Sequence, residues 1–236
     1  MDEKELKTSP RQRIFISIIA VIMLGSVIAS YVAIVLGGSK SSSTSEIDEE
    51  MVEKYIAAYN EELQSFAELT SSDFNKLTEH MSEVVAYDEN AINEGDLRWR
   101  DLLVGDGREL TEGDTNYLAF YVGWCADGSI FDSSLNSTTS PTAFSKTLDA
   151  SVGTIEGWTS GVVGMKLGGV RKITIPGRLA YGEKMEICGG YNKPLKFLVL
   201  AVAKEDPLAS ASSALDTAYL KLQYAYYGID PEQISN

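Results

Sequence analysis

A chain of 236 residues with 44% hydrophobic and 23% charged side chains has a globular mixture, and its length suits one globular domain with attachments rather than a disordered chain. With 34 acidic against 20 basic residues the net charge is -14, which excludes nucleic acid as the main partner, because phosphate binding needs clustered Lys and Arg. Two distant cysteines, Cys125 and Cys188, and a single histidine, His80, exclude multi-Cys and His-rich metal sites and leave most hydrolase chemistry without its parts.

The run Ile14 to Leu36 carries no charge and no proline, and as a helix it is long enough to cross a hydrocarbon core of ~30 Å. Lys4, Lys7, Arg11 and Arg13 precede it. The positive-inside rule therefore places residues 1–13 in the cytoplasm and the chain after Lys40 on the far side. A cleaved signal peptide has a shorter apolar region, ~7–15 residues, so 14–36 reads as a single-pass transmembrane anchor. Residues 37–46 are Gly/Ser-rich and read as a flexible linker.

Over residues 47–90, Met51, Val52, Tyr55, Ile56, Tyr59, Leu63 and Phe66 recur at three- and four-residue steps, the spacing of an amphipathic helix. Thr70-Ser71-Ser72 interrupts it, and Phe74, Leu77, Met81 and Val84 repeat it, which predicts a second helix to about Tyr87. The two read as a helical hairpin serving as a stalk. The alternative is a groove for unfolded chains, which requires Tyr55, Tyr59, Leu63 and Phe66 to be exposed. His80 lies beside the stripe with no other ligand type grouped around it and reads as a surface histidine.

From 97 to 204 the pattern changes to short strands. Asn116–Trp124, Arg171–Ile175 and Leu195–Ala203 are rich in aromatic and β-branched residues and are separated by Gly/Asp/Asn/Pro clusters, as in an antiparallel sheet. Trp158, Val162 and Met165 mark one short helix between Gly157 and Gly168-Gly169. A sheet with one helix laid on it is an α+β arrangement. After Pro207, residues 208–236 carry a further stripe, Leu215, Tyr219, Leu222 and Tyr226, closed by Gly228. The sequence leaves open whether this C-terminal helix packs on the stalk or on the sheet.

Within the sheet region one series of motifs stands in order. Tyr121-Val122-Gly123-Trp124, Asp127-Gly128 and Phe131-Asp132-Ser133-Ser134 come first, then Ile155-Glu156-Gly157-Trp158, Gly161, Gly164-Met165-Lys166 and Gly168-Gly169. Ile173-Thr174-Ile175-Pro176, Leu179-Ala180-Tyr181-Gly182 and Asn192-Lys193-Pro194-Leu195-Lys196-Phe197 complete it. The series resembles the FKBP-type peptidyl-prolyl cis-trans isomerases. The resemblance implies a twisted antiparallel sheet wrapped around a short helix, and an enzyme acting on proline-containing unfolded or nascent polypeptides.

The chemistry suits the composition. An X–Pro bond rotates over a barrier of ~18–20 kcal/mol, and no bond to the enzyme forms or breaks, so neither a nucleophile, a cofactor nor a metal is needed. An apolar pocket that strips water from the amide weakens its charge-separated resonance and favours the twisted transition state. By the resemblance, Tyr121, Phe131, Phe144, Trp158 and Phe197 line that pocket, with Trp158 as its floor. Ile155 offers its backbone N–H and Tyr181 its hydroxyl to substrate carbonyls, and Asp132 at the rim orients Tyr121. The acidic residues show no EF-hand spacing, so no metal is implied.

Three departures from the family pattern accompany the match. Thr154 replaces the usual branched aliphatic residue, the loop from Leu135 to Thr142 is long, and Gly189-Gly190-Tyr191 stands where relatives carry Ile-Pro-Pro. The paired glycines predict a looser loop from Glu183 to Tyr191. Cys188 lies in that loop and Cys125 after the strand of Tyr121; a disulfide and two thiols both stay open. The expected function is a membrane-anchored isomerase assisting the folding of extracytoplasmic proteins. Its alternatives are a non-catalytic binding module of the same fold and a chaperone acting through the stalk.

Overall fold

The computed structural model describes residues 48–234. The anchor expected over 14–36, the cytoplasmic segment expected over 1–13 and the linker expected over 37–46 lie outside the described residues. Among the described residues no helix is long and apolar enough to cross a membrane. The described residues form one compact unit.

The helices come first. α1 spans Glu49–Leu69, capped by the Asp48 carboxylate, which accepts from the Met51 N–H at 3.1 Å, with Glu49 and Glu50 in the first turn where the helix dipole favours anions. α2 is Ser71–Thr78 and α3 is Glu89–Asn93, with a 3₁₀ turn at Met81–Glu83 between them. The expected second helix to Tyr87 is therefore cut short at Thr78. Tertiary bonds decide this: the Trp124 indole donates to the Val85 carbonyl at 3.0 Å, and the Tyr87 N–H donates to the Ala126 carbonyl at 2.8 Å. Both hold residues 84–87 extended against the end of a strand.

The strands are β1 Arg98–Leu103, β2 Tyr117–Trp124, β3 Ile130–Ser133, β4 Leu148–Asp149, β5 Val170–Ile175 and β6 Leu195–Ala203. The sheet order is β1-β5-β6-β2-β3, with β4 also on β2, and every pairing is antiparallel. β6 sits at the centre and pairs with β2 from Tyr117↔Ala203 to Trp124↔Lys196. Alternation sends Tyr117, Ala119, Tyr121, Phe197 and Val199 to one face, where α4, Glu156–Gly161, lies. Phe120 and Leu200 turn to the other face, where Phe66 of α1 and Phe74 of α2 cover the sheet through Phe120 and Phe144. All are apolar, and each fully buried side chain of this size contributes about 1.5–3 kcal/mol relative to exposure.

The long α1 does not pair with the second helix of a hairpin. It packs along α5, Leu208–Tyr226, where Leu215, Ala218 and Leu222 are buried and Tyr59 meets Tyr219 at 5.9 Å between ring centroids. Small side chains such as Ala218 let the two helices approach closely, while α2 turns its Phe74 and Leu77 to the sheet. α5 closes at Gly228, whose φ of 73° permits the N–H of Ile229 to reach the Tyr224 carbonyl at 2.9 Å. From residue 48 on, the segment expected as a stalk over 47–90 is thus part of the domain wall. Tyr55, Tyr59 and Phe66 are 6%, 7% and 0% exposed, which removes the apolar surface a stalk chaperone requires.

α4 lies unusually close to β5. A methyl group at Gly157 would stand 2.3 Å from Cγ2 of Ile175, and one at Gly161 2.6 Å from Cγ2 of Ile173. The buried Arg171 guanidinium of β5 then ties down the helix end. It donates to the Gly161 and Val163 carbonyls at 3.0 and 2.8 Å and forms a fork with Asp101 of β1 at 2.6 and 3.1 Å. Gly157→Ala is expected to lower stability by about 1–3 kcal/mol through overpacking, read as a lower urea midpoint with unchanged slope.

Candidate functional site

Four aromatic side chains meet on the α4 face of the sheet. Trp158, the third residue after Ile155 caps the helix, is 2% exposed with its indole N–H donating to the Tyr117 hydroxyl at 3.1 Å. Tyr121 meets it edge-on at 5.7 Å, Phe197 at 5.3 Å, and Phe131 meets Phe197 at 5.6 Å. Each contact is close to perpendicular, the arrangement aromatic quadrupoles favour. Gly123 makes it possible. A Cβ there would lie 2.7 Å from both the Phe131 and the Phe197 rings.

At the rim the Tyr121 hydroxyl donates to Asp132 Oδ2 at 2.6 Å. The other carboxylate oxygen accepts from the Ser133 N–H at 2.9 Å and from Lys146 Nζ at 2.5 Å, and Lys146 stands 5.7 Å from the Tyr121 ring. Tyr181 and Ile155 are half-buried against the same cluster and, with Thr154, Ala180 and Gly182, line a cleft of about 700 Å³. Burial, with the Asp132 charge and hydrogen bond added, pushes the Tyr121 phenol well above its usual 10. Burial and then the Asp132 charge raise Tyr181 in the same direction. Both hydroxyls therefore remain donors at neutral pH. None of the four rings lines that cleft itself; Ile155 and Tyr181, packed against them, join it to the aromatic cluster. Together they offer apolar surface to a small ring and two phenols to the carbonyls of an adjoining amide.

Of the residues expected at this site, the structure brings together Tyr121, Phe131, Asp132, Ile155, Trp158, Tyr181 and Phe197. Phe144 is elsewhere. It is fully buried on the opposite face of the sheet, stacked 3.9 Å from Phe120 and edge-on to Phe74 at 5.4 Å. The long loop is the reason. Asn136 Oδ1 accepts from the Thr142 N–H at 3.0 Å, the chain doubles back, and Leu135 bridges Phe144 beneath α2. Lys146 occupies the rim, and no motif in the sequence announces it. Tyr117 was within reach of sequence reasoning, since it lies on the same strand face as Tyr121.

The loop from Glu183 to Tyr191 is tighter than its glycines predict. Cys188 bonds to Cys125, with Cα atoms 5.6 Å apart, which settles the alternative left open by the sequence. Ile187 and Gly190 exchange both backbone hydrogen bonds, at 2.9 and 3.1 Å. Cys188 and Gly189 between them have φ of 54° and 77°, a primed two-residue hairpin turn in which glycine fits without strain.

The family model for FKBP-type peptidyl-prolyl cis-trans isomerases matches residues 107–201. An FK506-binding protein of Neisseria meningitidis serogroup A is 38% identical over 109 residues, covering 46% of this chain and 93% of the relative. Its serogroup B counterpart is 40% identical over the same length and shares. A solved peptidyl-prolyl cis-trans isomerase from Pseudomonas syringae is 28% identical, covering 45% of this chain and 74% of that one, with a TM-score of 0.35. The chain belongs to the FKBP-type peptidyl-prolyl cis-trans isomerase family.

Two measurements follow from this geometry. Replacing both cysteines by serine opens a covalent link across 63 positions and is expected to cost about 2–4 kcal/mol in urea unfolding. Raised tyrosines bind their protons more tightly folded than unfolded, and Tyr59, pushed to about 12 by burial, adds to Tyr121 and Tyr181. Their contribution is whole below about pH 10, the unfolded value, and is lost as pH rises above it. The urea midpoint is expected to hold up to about pH 10, the unfolded value, and to fall as pH rises on towards about 12, the folded value of Tyr59, as phenolate absorbance appears on unfolding.

Proposed function

We propose that this chain is an active prolyl isomerase that assists the folding of polypeptides outside the cytoplasm, held at the membrane by residues 14–36. The observation that carries the catalytic part is the Tyr121–Asp132 hydrogen bond at the mouth of the Trp158, Phe131 and Phe197 cluster. The proline ring enters between these rings with Trp158 beneath it. Ile155 donates its backbone N–H to one substrate carbonyl and Tyr181 its hydroxyl to another, which fixes the chain on both sides of the prolyl bond. Water is excluded from the amide, its charge-separated resonance is destabilised, and rotation becomes easier. Asp132, itself oriented by Tyr121 and Lys146, sets the field at the twisted amide.

The location rests on different observations. The uncharged run 14–36 with four basic residues ahead of it favours a spanning anchor with the domain on the outer side. The Cys125–Cys188 bond supports that side, since disulfides persist in oxidising compartments. No cofactor, metal or nucleic acid enters this reading.

The test is acceleration of a proline-limited refolding reaction by the full chain in neutral detergent. Removing one hydrogen bond to a charged group is worth about 1.5–3 kcal/mol. Tyr121→Phe is therefore expected to lower kcat/KM about tenfold or more, and Trp158→Ala at least as much, with circular dichroism unchanged. A folded wild-type protein without acceleration would reassign the chain as a binding module.

A further inference from the structure

The far face of the sheet carries a concentration of positive charge that the reaction does not use, on a chain of net charge -14. Arg98 and Arg100 of the edge strand β1 pair with Thr174 and Lys172 of β5, and Thr174 pairs with Lys196 of β6. Alternation puts all of these on the face away from Trp158, since their neighbours Ile173 and Phe197 belong to the α4 side. They line a groove of about 400 Å³ whose wall is built by Tyr87, Ala91 and Ile92. Tyr87 is held there by its hydroxyl, which donates to the Pro194 carbonyl at 2.8 Å, and Lys196 Nζ stands 4.4 Å over its ring.

The counter-charges are few. Glu83 is shared between Arg100 at 2.6 Å and Lys172 at 2.5 Å. The Asp88 carboxylate is engaged at the start of α3, accepting from the Asn90 and Ala91 N–H groups at 3.0 and 3.2 Å. Glu89 is drawn off to Lys193 at 2.8 Å, and although the Glu83 charge reaches Lys196, neither Glu83 nor Asp88 forms an ion pair with Arg98 or Lys196. The crowding registers on Lys196, whose ammonium is held below its ordinary value by burial and by the charges of Lys172 and Arg98.

We propose that this groove binds an acidic segment of a polypeptide in extended conformation, with its carboxylates on Arg98 and Lys196. The spacings favour a chain. Arg98 and Lys196 are two strands apart, about 10 Å at the backbone, a gap that their long side chains narrow towards the roughly 7 Å between alternate side chains of an extended peptide. Tyr87 and Ile92 offer apolar wall to the aliphatic stems between the charges. A bilayer is a poor fit, because Lys172 and Thr174 lie at the floor of the groove and the acidic chain as a whole is repelled by anionic lipid. The groove and the aromatic cleft lie on opposite faces of the sheet, so both can be filled at once. The binding stands independently of the isomerase reading. Its use as a second hold on a substrate chain, raising the local concentration of its prolines, rests on that reading.

The experiment titrates the full-length protein in neutral detergent against a fluorescein-labelled proline-free peptide of alternating Glu and Gly, read by anisotropy. Binding is expected at low salt, weakening as salt rises. Arg98→Gln with Lys196→Gln, which keeps much of both aliphatic stems, is expected to weaken it by about fivefold or more. The equal charge change Lys166→Gln with Lys221→Gln leaves it unchanged. Turnover of a short uncharged prolyl peptide is expected to be the same in all three proteins, so loss of isomerase activity and loss of groove binding are read separately. Absence of binding at low salt, or equal weakening in the two double variants, overturns the proposal. So does retention on phosphatidylserine vesicles that Arg98→Gln with Lys196→Gln abolishes while peptide binding is missing, which assigns the groove to lipid.

Discussion

The close seat of α4 on β5 is the contact on which the site depends. Gly157 and Gly161 leave no side chain between helix and sheet, Ile175 and Ile173 fill the space, and Arg171 joins the helix end to both β5 and β1. This brings Trp158 down among Tyr121 and Phe197 instead of above them. A short helix has little stability of its own, since nucleation is costly and six residues add few hydrogen bonds. It is held by the sheet, and it returns the favour by closing the sheet's apolar face.

The polar rim follows from the same seat. Once Tyr121 is fixed edge-on against Trp158, its hydroxyl reaches Asp132, and Asp132 is fixed in turn by Ser133 and Lys146. The pair sits at the boundary between an apolar box and solvent, which is why the Tyr121 phenol holds its proton strongly. Across the cleft, the loop carrying Cys188 is fastened to the end of the β2 strand that carries Tyr121. Both walls are thus set by the same strand.

The helical segments that flank the family region use the other face. Phe66, Phe74, Phe120 and Phe144 form a second aromatic layer there, so the sheet is buried on two sides where the helices cover it. Where the covering ends, near β1, the outer face becomes the cationic groove. One sheet therefore presents an aromatic cluster with a polar rim, a structural core and a charged surface, according to which face and which strands are covered.

Sequence alone determined the local features. Aromatic and β-branched density marked β6 from Leu195 to Ala203, the stripe after Pro207 marked α5 and its glycine stop, and the ordered motifs marked the family. It could not determine which elements meet. Periodicity says that one face of α1 is apolar but not that α5 covers it. The spacing around Phe144 does not tell on which side of the sheet a long loop returns. Nor does any local pattern join Cys125 to Cys188, or Lys146 to Asp132, because those pairings depend on chain paths separated by many residues. Local propensity is encoded within a few residues of each position. The partner of each face is a property of the packed chain, and only the tertiary structure supplies it.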